Sequence, residues 1–286
     1  MSDTSSRAAC VIGWPIKHSR SPMIHGYWLA KYGIDGSYDK RAVHPDDLEH
    51  FLNNLSDHGY VGCSVTVPHK ERAFALAVEK DASAVAVSAA NTLWLDDGRL
   101  CAKNTDTEGF MAHLSASVPN WQKRDAPVTI LGAGGAARAI VYGFLNAGVG
   151  EIRVVNRTKA KTEKLVKDFD RLNLPTRIVV GDWQQRQNLS LDAGVIVNTT
   201  TIGMNGEGDL GLSPQAFKDQ TVVADIVYVP LETNLLRDAK ASGHQTVDGL
   251  GMLLHQGVPG FEKWFGVRPT VSQDLHDLVV ADLEQG

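Results

Sequence analysis

A β-rich run, Val128-Thr129-Ile130-Leu131, passes directly into Gly132-Ala133-Gly134-Gly135-Ala136-Ala137, and an apolar helical pattern follows over 135–147. The order strand, G-x-G-x-x-A, helix restricts the fold more than any other feature of the chain. The first glycine permits a tight turn, the second lets backbone approach a pyrophosphate, and alanine in the last position keeps the helix close to its strand. Unpaired N–H groups and a partial positive charge at the helix start then face the phosphates. The segment predicts the opening βα unit of a dinucleotide-binding sheet.

The flanking pattern extends that unit into a whole domain. Strand-like runs at 127–131, 151–155, 176–180, 194–198, 221–225 and 244–247 are largely apolar throughout, as suits strands buried on both faces. Helical patterns at 135–147, 159–169 and 232–242 lie between them, so successive βαβ units build a doubly wound, Rossmann-type sheet over 107–248. The first third alternates as well: strands at 8–12, 37–43 and 61–67, a helix after Pro22, and a helix over 45–57 with Asp46, Asp47 and Glu49 in its first turn. After Asp248 only helices are expected, at 250–265 and 271–283, returning to cover the first domain. The fold class is therefore α/β with two domains. An N-terminal α/β substrate domain, 1–106 completed by 249–286, faces the nucleotide domain across a cleft. At 286 residues the chain is longer than one core usually needs.

Charge and cysteine usage exclude several functions. A formal charge of −5 argues against a nucleic-acid partner, and the most basic stretch, 157–167, is short. Three widely spaced cysteines, Cys10, Cys63 and Cys101, without a C-x-x-C pair, indicate neither a disulfide framework nor a zinc site. No metal is expected, since His18, His25, His69 and His255 lack ligand spacing. Met1 to Arg7 is polar, no signal peptide is expected, and no apolar stretch is long enough to cross a bilayer. The expected address is the cytoplasm, with no membrane partner. A monomer and a homodimer both suit the sequence.

The cofactor's identity turns on the end of the second nucleotide-domain strand. An NAD enzyme places Asp or Glu there to hold the ribose 2′-hydroxyl. This chain has Asn156-Arg157-Thr158, with Lys161 one turn further on. A guanidinium fork suits a phosphate, which selects NADP. Part of the basic set Arg157, Lys159, Lys161 and Lys164 is read as a solvated helix face. Elsewhere, Ser64-Val65-Thr66-Val67-Pro68-His69-Lys70 sets a lysine just beyond a strand end, and Asn104-Thr105-Asp106 falls where the chain should cross between domains. Oxidising a secondary alcohol requires a group that takes the hydroxyl proton, and a lysine beside a carboxylate can shuttle it. Composition alone would leave both residues solvated.

A series of motifs along nearly the whole chain settles that choice. His18-Ser19-Arg20-Ser21-Pro22, Val65-Thr66-Val67-Pro68-His69-Lys70, Ala90-Asn91-Thr92, Asn104-Thr105-Asp106, Gly132-Ala133-Gly134-Gly135-Ala136, Asn156-Arg157-Thr158, Asn198-Thr199-Thr200 through Gly203-Met204, and Asp248-Gly249-Leu250-Gly251-Met252 through Gln256 follow in order. In this the chain resembles the shikimate dehydrogenases. The resemblance implies reversible NADPH-dependent reduction of 3-dehydroshikimate to shikimate, a step toward aromatic amino acids. It implies Lys70 as acid/base with Asp106 as partner, and Ser19, Ser21, Thr66, Asn91, Tyr228 and Gln256 around the substrate. It likewise implies a cofactor lining of Gly132, Ala133, Gly134, Gly135, Ala136, Asn156, Arg157, Thr158, Lys161, Ile226 and Gly249.

Simpler roles stand beside these: Ser21 as the N-cap before Pro22, Asn91 and Thr66 as turn or strand-end residues, Tyr228 as core. Ser64, Gly26 and Lys103 depart from the commonest family pattern, which has Asn, Asn and Gly there. Rival readings are an NAD-preferring quinate/shikimate dehydrogenase, a non-catalytic dinucleotide-binding sensor, and a methyltransferase. Arg157 and the missing acid argue against the first and last, and the presence of Lys70 and Asp106 against the second.

Overall fold

The computed structural model describes residues 7–123 and 125–285, so the polar stretch at 1–6 on which the absence of a leader was read lies outside the described residues. Contacts divide the chain into two units, one running to Thr105 and resuming at Leu254, the other Asp106–Leu253. These divisions fall one and five residues from the expected 106/107 and 248/249 boundaries. Asp106 groups with the second unit because it opens a helix there, and Gly249 to Leu253 because Gly249 and Gly251 pack on that unit's Ile226 and His113.

The first unit contains β1 (Arg7–Gly13), α1 (Ser21–Tyr32), β2 (Gly36–Ala42), α2 (Leu48–Asn53), β3 (Tyr60–Val65), α3 (Lys70–Leu76), β4 (Glu79–Lys80), α4 (Ala82–Val87), β5 (Thr92–Asp96) and β6 (Arg99–Lys103). Its sheet runs β2-β1-β3-β5-β6-β4, parallel at β1–β2 and β1–β3 and antiparallel through β3–β5–β6. The β5–β6 hairpin turns on Asp97 and Gly98, at φ 47° and 74°, the two left-handed positions that a two-residue hairpin requires. The helix expected over 45–57 is shorter. A 3-10 turn, Pro45–Asp47, leads into α2, and Asn54 ends it by donating its side-chain amide to His50 O at 2.7 Å.

The second unit holds α5 (Asp106–Ser117), β7 (Val128–Leu131), α6 (Gly135–Asn146), β8 (Glu151–Asn156), α7 (Lys159–Asp170), β9 (Arg177–Asp182), β10 (Val195–Asn198), β11 (Val222–Asp225), α8 (Asn234–Ala241) and β12 (Gln245–Val247). The sheet is parallel throughout, in the order β12-β11-β10-β7-β8-β9. Its central strands β7, β10 and β11 are buried on both faces, which is why they read as unbroken apolar runs.

The chain then passes through α9 (Gly249–Phe265) to α10 (Gln273–Gln285), and the end of α9 completes the first unit. Trp264 is 1% exposed and donates its indole N–H to Leu93 O at 2.8 Å. The space for it exists only because residue 62 is glycine: a Cβ there would stand 2.1 Å from the indole nitrogen. Phe261 is fully buried and closes on Trp28 and His25 of α1. A buried aromatic of this size contributes on the order of 2–3 kcal/mol. The helical tail is therefore part of the first unit's core.

Candidate active site

The dinucleotide loop has the geometry that its glycines require. Gly132 sits at φ 118°, and a Cβ on it would meet Thr199 Oγ1 at 2.4 Å. Its N–H donates to Val155 O at 2.7 Å, and Thr199 donates its hydroxyl to Leu131 O at 2.7 Å, so the turn is held from both neighbouring strands. Gly134 is the N-cap of α6 and supplies no side-chain cap. Nothing lies within 4 Å of where a Cβ on Gly134 or Gly135 would be. The first amides of α6 thus look onto open space, a cradle that fits a pyrophosphate. Ala137, fully buried, lets α6 lie close to the sheet.

At the end of β8, Asn156 donates its side-chain amide to Thr158 O at 2.9 Å and shapes the turn into α7. The basic residues beyond it separate into two kinds. Lys159 and Lys164 pair with Glu163 at 3.7 Å and Asp168 at 3.1 Å. Arg157 and Lys161 are exposed, and among the described residues neither has an ion-pair partner. The solvated helix face is thus Lys159 and Lys164, and the two cations assigned to a phosphate are the two without internal partners.

Ile226 and Tyr228 follow β11. Gly249 is needed beside them, since a Cβ there would stand 2.3 Å from Ile226 O. Beneath them lies Asp225, 1% exposed, which sequence reasoning missed. It accepts from Asn198 Nδ2 at 2.9 Å, Val227 N at 3.0 Å and Thr233 Oγ1 at 2.8 Å. Burial pushes its carboxyl up to about 6, against the pull of these three donors. An Asp at the end of an apolar strand, with Asn at the end of its neighbour, was the signal that could have found it.

In the first unit, Ser19 and Ser21 form one hydroxyl pair. The Ser19 and Ser21 oxygens are 3.3 Å apart, and Ser21 N also lies 3.3 Å from Ser19 Oγ. Ser21 is the first residue of α1 rather than its cap, and the capping position is Arg20, whose side chain reaches Asp282 of α10 at 2.9 Å instead. The N-cap reading of Ser21 is therefore corrected: Ser19 Oγ approaches the first helical amide, and the Ser21 hydroxyl is not used as a cap.

Lys70 begins α3, and the loop before it is held tightly. Thr66 N donates to Ile12 O at 3.0 Å, Trp14 N to Val67 O at 3.1 Å, and the buried His69 ring meets Val43 O at 2.8 Å. Desolvation lowers the His69 pKa, so the ring serves as a neutral strut. Lys70's carbonyl accepts at 2.9 Å from the N–H of Ala90, the residue before Asn91. Asn91 is 3% exposed, donates to Gln256 Oε1 at 3.0 Å, and accepts from Thr105 N at 2.8 Å. The turn and strand-end roles weighed for Thr66 and Asn91 are thus partly real, because both also fix backbone.

Thr105 ends the first segment of the first unit, and Asp106, 8% exposed, is the first residue of the second unit. The first unit gathers Asn91 with Gln256 and ties the Lys70 backbone to the neighbouring Ala90, while Asp106 and Tyr228 belong to the second. Ser64 accepts a 2.7 Å bond from the buried Tyr38 hydroxyl, Gly26 faces open space on α1, and Lys103 O accepts from Asn91 N. His25 is fully buried against Tyr38, 4.0 Å between ring centroids, and desolvation takes its pKa down to about 3. Among the described residues no group of three His, Cys, Asp or Glu is placed to hold a metal ion, and no helix is long and apolar enough to cross a membrane.

A parallel nucleotide-binding sheet with a basic ribose end, joined to a mixed α/β unit carrying lysine, hydroxyl and amide side chains, defines a two-domain pyridine-nucleotide oxidoreductase. Comparisons with known proteins narrow that class. Residues 11–93 match the shikimate dehydrogenase substrate-binding domain, 115–179 the shikimate/quinate 5-dehydrogenase family, and 249–273 the shikimate 5′-dehydrogenase C-terminal domain. The shikimate dehydrogenase (NADP(+)) of Brucella canis is 50% identical over 280 residues, 97% of this chain and 95% of that protein. The structure of shikimate 5-dehydrogenase from Listeria monocytogenes in complex with shikimate and NAD superposes with TM-score 0.88 at 30% identity, covering 96% of each chain. Quinate dehydrogenase from Corynebacterium glutamicum in complex with NAD gives 0.88 at 27%, covering 96% of this chain and 99% of that one. The chain belongs to the shikimate dehydrogenase family.

Proposed function

We propose that the chain is a cytoplasmic NADP-dependent shikimate dehydrogenase, reversibly reducing 3-dehydroshikimate to shikimate on the route to aromatic amino acids. The observation that carries this is the coincidence of half-identity to a relative of that name with a β8 end bearing Arg157 and no acid. When bound, the nicotinamide supplies or accepts the hydride. Lys70 holds the proton that the substrate oxygen gains on reduction and loses on oxidation, and Asp106 keeps the lysine charged and oriented. Ser19 and Ser21 donate to the substrate carboxylate. Thr66, Asn91, Tyr228 and Gln256 complete the contacts to its hydroxyls and carboxylate, and neutral donors of this kind suit a small polyol acid enclosed away from water. Gly132 to Ala136, Asn156 to Lys161, Ile226 and Gly249 line the dinucleotide.

The test is absorbance at the nicotinamide band after mixing the protein with shikimate or quinate and either NADP or NAD. Shikimate with NADP should give the fastest reduction. No turnover with any pair would refute the assignment, and faster turnover with quinate and NAD would move the chain to the quinate branch. Lys70→Ala should cut kcat by about 10²–10⁴-fold, with far smaller changes in shikimate KM. Normal kcat in that variant would remove Lys70 from the chemistry.

A further inference from the structure

We infer that Asp225 is a positioning residue for the reaction: its buried carboxylate locks the loop after β11, which presents Ile226 and Tyr228, to the loop after β10. The inference rests on the roles proposed for those two residues. Asp225 ends β11 and Asn198 ends the adjacent β10, in register with one another. Oδ1 takes two N–H donors, Asn198 Nδ2 at 2.9 Å and Val227 N at 3.0 Å, while Oδ2 takes the Thr233 hydroxyl at 2.8 Å. Val227 is the residue between Ile226 and Tyr228, so the bond to its amide fixes the backbone of both. Asn198 passes the constraint on, donating to Ile202 O at 3.0 Å and accepting from Thr200 N at 3.0 Å and Thr200 Oγ1 at 2.7 Å. Thr233 caps α8. One carboxylate therefore joins the loop after β10, the loop after β11 and the start of α8. Asp225, Asn198 and Thr233 are each at most 1% exposed.

A fully paired apolar cluster would stabilise the fold more cheaply than a buried carboxylate, so the charge is retained for what it orients. The network also has a defined response to protonation. Asn198 cannot reverse its amide, because its oxygen is already used by Thr200, and the Val227 N–H has no alternative orientation. Thr233 alone can turn, so a proton enters at Oδ2 and the threonine hydroxyl rotates to accept it. Oδ1 then keeps its two donors but loses its charge, and neutral acceptors hold N–H groups less tightly. Two other carboxylates, Asp209 and Asp238, line the small cavity beside Asp225, and both are exposed. No cationic side chain lines it. Burial therefore governs the titration, which falls near pH 6.

Asp225→Asn reproduces the protonated form, amide nitrogen facing Thr233, and should fold with a melting temperature close to wild type. NADPH affinity, read by nicotinamide fluorescence in the absence of substrate, should weaken about fivefold at pH 8 in the variant. In wild type the same weakening should set in as pH falls through 6, so the ratio of wild-type to variant affinity should fall toward one there, the cofactor's own 2′-phosphate titrating alike in both. Hydrogen exchange of the 226–228 amides should quicken in Asp225→Asn with no ligand present, and more so in Asp225→Ala. Wild-type exchange at 226–228 in the variant, or a wild-type-to-variant affinity ratio that does not change near pH 6, would overturn the assignment. Wild type that fails to bind NADPH would refute the cofactor reading instead, and the exchange measurement would still decide the role of Asp225.

Discussion

Arg157→Ala isolates the group proposed to set the cofactor. The side chain is exposed, stands one residue past β8, and has no ion-pair partner among the described residues. Its removal should therefore leave stability within about 0.5 kcal/mol of wild type. A charge-assisted hydrogen bond to a phosphate is worth about 1.5–3 kcal/mol, and exposure to solvent and salt argues for the lower half of that range. Lys161, one turn into α7 and likewise without an internal partner, keeps part of the attraction. A loss of about 1.5–2 kcal/mol corresponds to a roughly 10- to 30-fold rise in KM for NADP. NAD carries a hydroxyl at that position and should change less than twofold. Steady-state kinetics with both cofactors at two ionic strengths measure it. The wild-type preference for NADP should shrink as salt rises, and the variant's, which rests on Lys161 alone, should shrink less. Equal losses for both cofactors, or a lowered melting temperature, would show that Arg157 shapes the turn and does not read the phosphate.

Ser19→Ala and Ser21→Ala should each raise shikimate KM and leave NADP affinity unchanged in initial-rate kinetics, because hydroxyl donors to a carboxylate act on ground and transition states alike. Gly62→Ala forces a methyl against the Trp264 indole at 2.1 Å and Leu93 O at 2.4 Å, so thermal or urea unfolding should report a loss of about 3 kcal/mol or more. Gly26→Ala, on an exposed helical position with open space around it, should instead gain about 0.5–1 kcal/mol in the same assay. His25 is neutral in the fold with a pKa of about 3, whereas the unfolded chain protonates it near 6.5. The unfolded state thus binds more protons below pH 6.5, and stability falls with pH from there toward 3 by at most about 1.4 kcal/mol per pH unit. His25→Phe, compared with wild type by urea unfolding across that range, should lack this component of the slope.

The nucleotide sheet was legible because its strands are buried on both faces and its turn needs glycine at a defined place. Gly132 at φ 118° is the physical cause of the motif that was read. The β5–β6 hairpin was missed although Asp97-Gly98 signals it. Strands at 92–96 and 99–103 lie between short helices, and the flanking Asp96 and Arg99 dilute their periodicity. The second helix was drawn too long because the acidic first turn marks a start and says little about the stop. That stop came from the Asn54 side chain competing for the backbone. The catalytic and substrate-contact roles were legible only through resemblance, since nothing in the local pattern distinguishes Lys70 from a surface lysine. Asp225 was passed over for a related reason: its partners Asn198 and Thr233 come from a different strand and from the cap of α8.

What the structure adds to that reading is a division of labour within the proposed contacts. Asn91 spends its acceptor on Thr105 N and an N–H on Gln256 Oε1, and Lys70's carbonyl is spent on Ala90 N. An unsatisfied buried partner costs about 1–3 kcal/mol, so the Asn91 and Gln256 side chains and the Lys70 backbone are fixed before any ligand arrives. The same holds on the nucleotide side, where the Gly132 amide and the Thr199 hydroxyl are committed to Val155 O and Leu131 O. By contrast Arg157, Lys161, Ser19 and Ser21 lie on partly or fully exposed positions, with weak internal bonds or none among the described residues. Groups of the first kind determine where the reacting atoms go, and their loss should appear in folding as well as turnover. Groups of the second kind select by charge and hydrogen bonding alone. Their loss should appear as a change in affinity for one ligand, with the fold untouched.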